Sequence, residues 1–338
     1  MANYDLFNGD ADGICALIQL RLAHPKESTL ITGIKRDIKL LKNLTEQVEL
    51  QQGDEVVVLD VSMAKNTEYL NKALNAGANV FYADHHQMGD KPEHENLDAH
   101  INTASNTCTA LIVNAYLKAQ LKKESHAWAI VAAFGDNITI VAEALCDKAG
   151  YNDEQINQLR TLGVCMNYNG YGADLDDLFY HPAKLYKIAV KYDSPFEFIE
   201  NETEVFNTLF NGYGDDMARA LQIEPDHESE TAAMFILPNE KWARRVSGVV
   251  GNELANQFPD RAHAILTERE EKIDNEITYQ VSIRAPKNNP VGADVIANKF
   301  CGGGRKAAAG INLLINAELH LLSDKLESEY THIIRKIK

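Results

Sequence analysis

The stretch EVVVLDV, residues 55–61, decides the fold, because it is an apolar, β-branched run that ends close to an acid. A run without polar alternation is typical of a strand that is buried on both faces, as in a parallel sheet covered by helices. Strand-like runs also occur at NYDLF (3–7), TLITGI (29–34) and NVFYAD (79–84), and segments with helical spacing separate them. We therefore predict an α/β domain in which helices flank a parallel sheet.

Strand-like and helical runs alternate again from residue 231 onward, which predicts a smaller second α/β domain near the C-terminus. The residues between the two parts are acidic and show little periodicity, as expected of a linker. The predicted boundaries are 1–200 for the first domain, 201–230 for the linker and 231–338 for the second domain.

The composition narrows the class of function. The chain has 338 residues and a formal net charge of −16. A protein that binds along a long duplex needs many lysines and arginines to neutralise the phosphates, so this excess of acid disfavours a protein that binds long double-stranded nucleic acid. The five cysteines are scattered without CxxC spacing, which is typical of reduced thiols in a cytoplasmic protein and disfavours a zinc–thiolate site. The N-terminal sequence does not resemble a signal peptide, and no apolar run is long enough to span a bilayer, so we expect no membrane association.

Acidic and imidazole side chains stand at the ends of three predicted strands and of one apolar helix: Asp10, Asp12, Asp60, Asp84, His85, His86 and Asp136. Equivalent ends of parallel strands lie at one edge of the sheet, where ligands bind in such folds, so we expect these groups to lie together. Clustered carboxylates repel one another unless cations are present. Carboxylate and imidazole ligands suit Mn²⁺, with Mg²⁺ and Co²⁺ as alternatives, and two such ions can clamp a phosphoryl oxygen.

Four short motifs follow one another in the first domain: GDADG (9–13), VVLD (57–60), ADHH (83–86) and AFGD (133–136). In this order and at these spacings they resemble the motifs of the DHH phosphoesterase superfamily. Near the C-terminus, VSIRA (281–285) and CGGGRKAAAG (301–310) resemble the DHHA1 substrate domain. The resemblance covers nearly the whole chain and implies a metal-binding catalytic domain followed by a substrate-binding domain.

The resemblance also implies a role for each residue of the first-domain motifs. It implies two divalent metal ions that are bridged by Asp60. The first ion would also be bound by Asp10, and the second by three further side chains: Asp12, His85 and Asp136.

The resemblance implies substrate contacts in both domains. His86 would face the substrate and stabilise the phosphoryl group or help to protonate the leaving oxygen, and Asp84 would orient the histidines. In the second domain, Arg284 would be the cationic partner of a phosphate. Backbone N–H groups of a glycine run would approach the same phosphate: Gly302, Gly303 and Gly304.

Two positions depart from the family pattern. Asn8 stands where many relatives have a histidine ligand, and its amide oxygen would bind the first ion more weakly. Arg305 stands where many relatives have another histidine; it can hold a phosphate with two hydrogen bonds but cannot switch protonation. Outside the motifs, Lys35 and Arg36 follow the second strand at the same edge of the sheet, where substrate contact and a plain surface position are equally compatible with the sequence.

The predicted function is a manganese-dependent phosphodiesterase that hydrolyses short oligonucleotides or dinucleotides, linear or cyclic, by metal-activated water in a cleft between the two domains. One alternative is a RecJ-like single-strand exonuclease, which the excess of acid disfavours. The other is a scaffold or nucleotide-binding module that keeps the fold without the metals, which the clustered carboxylates disfavour. The expected partner is a short phosphorylated nucleotide rather than a long duplex, and a homodimer is compatible with base rates.

Overall fold

The structure, a computed structural model, describes residues 1–337. The chain divides into two compact units, Met1–Tyr213 and Gly214–Lys338, and each combines a sheet with packed helices, as predicted for the fold class. Within the described residues, no helix has both the length and the apolar character that crossing a bilayer requires.

The first unit is built on a five-stranded sheet with the order β2-β1-β3-β4-β5, in which every neighbouring pair is parallel. The strands are β1 (Asn3–Phe7), β2 (Thr29–Ile31), β3 (Glu55–Leu59), β4 (Asn79–Asp84) and β5 (Leu97–Ile101). The helices that lie wholly within this unit are α1 (Ala11–Ala23), α2 (Leu40–Gln47), α3 (Met63–Asn75), α4 (Thr109–Leu117), α5 (Ala127–Gly135), α6 (Thr139–Ala149), α7 (Asp153–Asn169), α8 (Pro182–Ala189) and α9 (Pro195–Asn201).

Strand β3 shows why its apolar run has no alternation. Val56 and Val58 pack into a core that α2 and α3 cover, whereas Val57 and Leu59 pack into a second core with α1, α4 and α5. Both faces of the strand are therefore buried, which stabilises the centre of the sheet.

Strand β5 was not predicted from the sequence. Its residues, LDAHI, include two polar side chains, and most of the strand is only partly buried. The strand lies at the edge of the sheet and pairs with β4 alone among the described strands, so it does not need the continuous apolar run that marks a central strand.

The range predicted as an irregular linker, 201–230, largely forms a helix, α10 (Thr203–Ala220). Its buried positions recur at helical spacing: Val205, Leu209, Asp216 and Ala220. The helix was hard to predict because one of these positions is a carboxylate, whose burial is made tolerable by two hydrogen bonds from Arg245. The division of the chain into catalytic and substrate-binding domains stays a prediction.

The second unit contains a six-stranded sheet with the order β10-β11-β9-β8-β7-β6, in which β7 and β8 are parallel and the other neighbouring pairs antiparallel. The strands are β6 (His227–Glu228), β7 (Ala232–Leu237), β8 (Ala262–Glu268), β9 (Thr278–Arg284), β10 (Gly303–Arg305) and β11 (Ala308–Ile315). The helices of this unit are α11 (Lys241–Gln257), α12 (Ala293–Asn298) and α13 (Leu319–Ile337).

A buried ion pair holds α1 against β1 in the first unit. Arg21 Nε donates to Asp5 Oδ2 at 2.8 Å, Arg21 Nη2 donates to Asp5 Oδ1, and the Ser28 hydroxyl donates to Asp5 Oδ2 at 2.6 Å. Asp5 has no solvent exposure, so its charge depends on these donors.

We expect the substitution Arg21→Met to lower the free energy of unfolding by about 3–5 kcal/mol, because it leaves the buried Asp5 carboxylate without its charged partner. Lys26→Met is the matched control, since Lys26 pairs with Glu55 at the surface and its loss should cost about 0–1 kcal/mol. Urea unfolding of the full chain measures the free energy of unfolding of both variants. Equal decreases in the two variants would show that the buried ion pair stabilises the fold no more than the surface pair does.

In the second unit, burial and, to a smaller extent, the positive charge of Arg261 together lower the pKa of His263 to about 4. The unfolded chain binds a proton at this histidine below about pH 6.5, whereas the folded chain does so only near pH 4. The free energy of unfolding should therefore decrease as the pH is lowered from about 6.5 to about 4, by up to about 3 kcal/mol for this group alone.

We expect His263→Leu to remove that part of the acid sensitivity, and His320→Leu, which replaces an exposed histidine, to leave it unchanged. Hydrogen exchange of the β8 amides between pH 7 and pH 4 measures the difference between each variant and the parent chain. A difference that does not change with pH would contradict a neutral, buried His263.

Candidate metal centre

The parallel register brings three strand ends to one edge of the first sheet. Phe7 of β1 lies beside Leu59 of β3, and Leu59 lies beside Ala83 of β4, so the residues that follow these positions emerge together. The chain leaves β1 toward β2 on one side and returns to β3 on the other, which opens a crevice between β1 and β3. The sequence motifs lie at this edge.

The turn after β1 fixes the first two acids. Asp10 caps α1, because its Oδ1 accepts the backbone N–H groups of Asp12 at 3.0 Å and of Gly13 at 3.2 Å. A Cβ on Gly9 would lie 1.9 Å from the Gly33 carbonyl oxygen. A Cβ on Gly13 would lie 2.3 Å from the Asn8 carbonyl oxygen. The two glycines are therefore required by close packing of the backbone.

Asp12 is held by the start of a different helix. Its two carboxylate oxygens accept the backbone N–H groups of Thr109 and Ala110, each at 2.7 Å, at the N-terminus of α4. The exposed N–H groups and the dipole of a helix N-terminus stabilise a negative charge there. The Thr109 hydroxyl also donates to Asp60 Oδ1 at 3.2 Å. Thr109 was not among the predicted site residues, although a threonine directly before the apolar run ALIV (110–113) was a usable signal for the start of a helix.

Asp60 lies at the centre of the cluster in an unusual backbone conformation. Its φ angle is +59°, in the left-handed region that non-glycine residues rarely adopt. Burial raises the pKa of its carboxyl well above the usual range, and the negative charges of Asp12 and Asp10 raise it further. Strain and charge repulsion thus coincide at one residue, as is common at functional sites.

His85 faces three carboxylates at once. Its Nε2 atom lies 3.4 Å from Asp60 Oδ1, 3.6 Å from Asp136 Oδ2 and 3.9 Å from Asp12 Oδ2. Asp136 reaches this point from the C-terminal end of α5. Burial, together with the charges of Asp12 and Asp10, raises the pKa of Asp136 to about 8.

His86 lies between Asp60, whose Oδ1 atom is 3.7 Å from His86 Nδ1, and Asp84, which is closer. The same Nδ1 atom lies 2.8 Å from Asp84 Oδ1, which also accepts the backbone N–H of His85 at 2.9 Å. The hydrogen bond with Asp84 raises the pKa of His86. The His86 side chain is 46% exposed, compared with 23% for His85, so it is the more accessible histidine.

Lys35 lies within the cluster of carboxylates. The sequence alone had been equally compatible with a substrate contact and with a plain surface position for this residue. Its Nζ atom lies 2.7 Å from Asp10 Oδ2, 2.8 Å from Asn167 Oδ1 and 3.6 Å from Asp136 Oδ1. Burial alone would lower the pKa of Lys35, but the combined effect of Asp10, Tyr171 and Asp136 outweighs it, and the pKa is well above its usual value. The neighbouring Arg36 is exposed, and Asn167 was not among the predicted site residues.

The structure thus brings the predicted first-domain residues to one place. Two sets of side chains, which share His85, each have ligand atoms within 4.8 Å of one another and could hold a metal ion: Asp60, His85 and His86, and Asp12, His85 and Asp136. Oxygen atoms of Asn8 and Asp84 are buried there without a hydrogen-bond partner among the described residues. Unpaired buried oxygen and clustered carboxylate and imidazole donors fit a divalent cation. The role of each residue as a ligand stays a prediction.

The residues predicted to bind substrate in the second unit lie on and beside its sheet. Ala308 of β11 pairs with Arg284 on one side and with Arg305 on the other, so the two arginine side chains emerge on the same face. The Arg284 guanidinium donates to the Ser282 hydroxyl and to the Gly248 carbonyl, each at 2.9 Å, whereas Arg305 is exposed.

Part of the glycine run forms a strand rather than a loop. Gly303 and Gly304 are exposed residues of strand β10, which forms a hairpin with β11. The N–H of Gly302 donates to the Ala297 carbonyl at 2.9 Å, so this donor is already used within the unit. Gly303 and Gly304 thus remain as the candidate phosphate contacts of the run.

Residues 4–135 match the model of the DHH family, N-terminal domain. Exonuclease RecJ bound to manganese is similar in structure with a TM-score of 0.64 and 15% identity, over 98% of this chain and 90% of that one. The pGpG-specific phosphodiesterase PggH from Vibrio cholerae is similar with a TM-score of 0.55 and 12% identity, over 98% and 99%.

RecJ from Thermus thermophilus in complex with Mn²⁺ gives a TM-score of 0.60 and 14% identity, over 98% of this chain and 52% of that one. A comparison with curated proteins found no match. At these identities the similarity in structure establishes a shared fold.

We expect Asp60→Asn to raise the melting temperature of the metal-free protein by about 2–4 °C, because it removes one of several close carboxylates and asparagine adopts a left-handed φ more readily. Asp90→Asn, at an exposed position, should leave the melting temperature unchanged. Thermal unfolding in the presence of a chelator measures both variants. A lower melting temperature for Asp60→Asn would contradict the repulsion inferred at this site.

Proposed function

We propose that the chain is a member of the DHH phosphoesterase superfamily and a metal-dependent phosphodiesterase that hydrolyses short oligonucleotides or dinucleotides, linear or cyclic; the match of residues 4–135 to the DHH family, N-terminal domain, and the similarity in fold to RecJ and PggH support this. The observation that carries the proposal is the convergence of carboxylates and two histidines at one edge of the first sheet, where His85 Nε2 lies within 4 Å of three carboxylates. Such a cluster is tolerable with cations present and gives no benefit to a purely structural domain.

Manganese is the ion we propose, with magnesium or cobalt as substitutes, because the donors are carboxylate and imidazole groups without thiolate. Four side chains would hold it: Asp12, Asp60, His85 and Asp136. When bound, a divalent ion supplies Lewis acidity, which polarises phosphoryl oxygen and activates water. The RecJ structures that resemble this chain contain manganese, which supports the choice.

His86 is the proposed proton donor to the leaving oxygen. Its Nδ1 atom is held by Asp84 at 2.8 Å, which fixes the ring and leaves Nε2 to face the substrate. The hydrogen bond with Asp84 raises the pKa of His86 and so favours the protonated ring, which can stabilise charge on the phosphoryl group or protonate the departing alcohol. Asp84 acts here as a positioning residue, and its complete burial keeps the pair in one orientation.

The proposed phosphate contacts in the second unit are Arg284 and Arg305, with the backbone of Gly303 and Gly304. Two arginines on one face of a sheet can bind a phosphate through paired hydrogen bonds. The net charge of −16 disfavours a long polyanion, so a short substrate fits better. The match with PggH, over nearly the full length of both chains, supports a comparable domain content. The cleft between the domains stays a prediction.

A cytoplasmic location is part of the proposal, because all five cysteines are free and four of them are buried. A homodimer stays a prediction.

The test is a substrate screen with purified protein and Mn²⁺, in which release of mononucleotides from pGpG, pApA, cyclic dinucleotides and a long single strand is measured by chromatography. We expect hydrolysis of dinucleotides and a loss on the order of 10²–10³-fold in Asp60→Asn, whose fold should persist. Asp90→Asn is the control and should keep full activity.

The outcomes separate the alternatives. Digestion of the long strand without hydrolysis of dinucleotides would favour a single-strand exonuclease. A folded protein that binds Mn²⁺ tightly and hydrolyses none of these substrates would contradict the phosphodiesterase, and the absence of tight Mn²⁺ binding would favour a scaffold. Full activity in Asp60→Asn would remove Asp60 from the site.

A further inference from the structure

We propose that Lys35 takes the place of one divalent cation, so that this centre binds a single divalent ion and not the two that the sequence predicted. The inference rests on the proposed function, because it concerns the same cluster of carboxylates. Lys35 Nζ lies 2.7 Å from Asp10 Oδ2 and 3.6 Å from Asp136 Oδ1, so a fixed positive charge already stands between two of the acids.

Asp10 is fully engaged without a metal ion. Its Oδ1 atom accepts two backbone N–H groups at the start of α1, at 3.0 and 3.2 Å, and its Oδ2 atom accepts the Lys35 ammonium. Asp10 also belongs to neither set of side chains that could hold an ion among the described residues. A divalent ion on Asp10 Oδ2 would lie beside the Lys35 ammonium, and the repulsion between the two positive charges disfavours binding there.

Several groups of the protein hold Lys35 in this position. Its backbone N–H donates to the Gly170 carbonyl at 2.8 Å, and its ammonium donates to Asn167 Oδ1 at 2.8 Å and lies 5.7 Å from the centre of the Tyr171 ring. Its carbonyl oxygen accepts the Asn8 side-chain N–H at 3.2 Å. Asn8 is thus bonded to the lysine through its N–H group, while its Oδ1 atom has no hydrogen-bond partner among the described residues; of these two predicted ligands of the first ion, only Asp10 has its ligand oxygen on the ammonium.

The other end of the cluster keeps its ligands for an ion. Asp136 directs Oδ1 toward Lys35 and Oδ2 toward His85, each at 3.6 Å, so it stands between the ammonium and the imidazole. Asp12 and Asp60 also face His85, at 3.9 and 3.4 Å. Lys35 has no ion pair of 4 Å or less with either of these two acids among the described residues. One divalent ion beside His85 and one ammonium beside Asp10 therefore account for the acids of the cluster.

The test counts manganese ions bound to the full-length protein in the absence of substrate. Calorimetric titration with Mn²⁺, followed by elemental analysis after gel filtration, should give about one ion per parent chain. Lys35→Met, which keeps much of the side-chain length but removes the charge, should give about two. Arg36→Met, at the exposed neighbouring position, should give about one. Electron paramagnetic resonance should show an isolated Mn²⁺ ion in the parent protein and an exchange-coupled pair in Lys35→Met.

A second measurement separates the charge of Lys35 from a general loss of folding. In a chelator, Lys35→Met should melt at a lower temperature than the parent protein, and added Mn²⁺ should raise its melting temperature more than that of the parent. Equal shifts in both proteins would overturn the inference.

The result for the parent chain decides the inference even if Lys35→Met does not fold without metal. Two ions bound to the parent chain, or one ion bound to folded Lys35→Met, would overturn it. Failure to hydrolyse any dinucleotide while one ion is bound would overturn the proposed function and leave the count of ions intact. No bound ion in the parent chain would overturn both.

Discussion

Mutual repulsion among buried carboxylates is the constraint on which the rest of the first unit depends. Two acids are stabilised by backbone N–H groups at the starts of two different helices, Asp10 by α1 and Asp12 by α4. Asp60 receives a hydroxyl hydrogen bond from Thr109, and Asp10 also receives the Lys35 ammonium. Each donor lowers the free energy of one negative charge, but none of them removes the crowding, and the same crowding gives the cluster its affinity for cations.

The parallel sheet makes this crowding possible. Strands β1, β3 and β4 are buried on both faces, so their ends are held rigidly, and the residues after them cannot move apart without loss of the core. The ion pair between Arg21 and Asp5 adds a further link between β1 and α1 behind the cluster. The left-handed backbone at Asp60 persists because the packed strands on either side determine its position.

The parts of the molecule that follow local rules were predictable from the sequence. Strand β3 has the apolar run of a doubly buried strand, and the acids at the ends of β1, β3 and β4 had to lie at one edge once the sheet was parallel. Strand β5 was not predictable in this way because an edge strand does not need such a run. The contacts of Lys35 and Thr109 depend on residues far away in the chain, and a long lysine side chain can reach many places. The sequence therefore left Lys35 open and missed Thr109.

Asp12 links the chemistry of the cluster to the architecture of the unit. Its two oxygens hold the first turn of α4, and α4 packs into the core beside α1. Any replacement at this position would disturb a helix as well as the cluster. Loss of activity in an Asp12 variant could therefore come from misfolding or from loss of catalysis, and the activity alone would not distinguish the two. A residue such as His86, which lies at the surface and anchors no helix, separates the two causes, and genetic complementation with such variants would be easier to interpret.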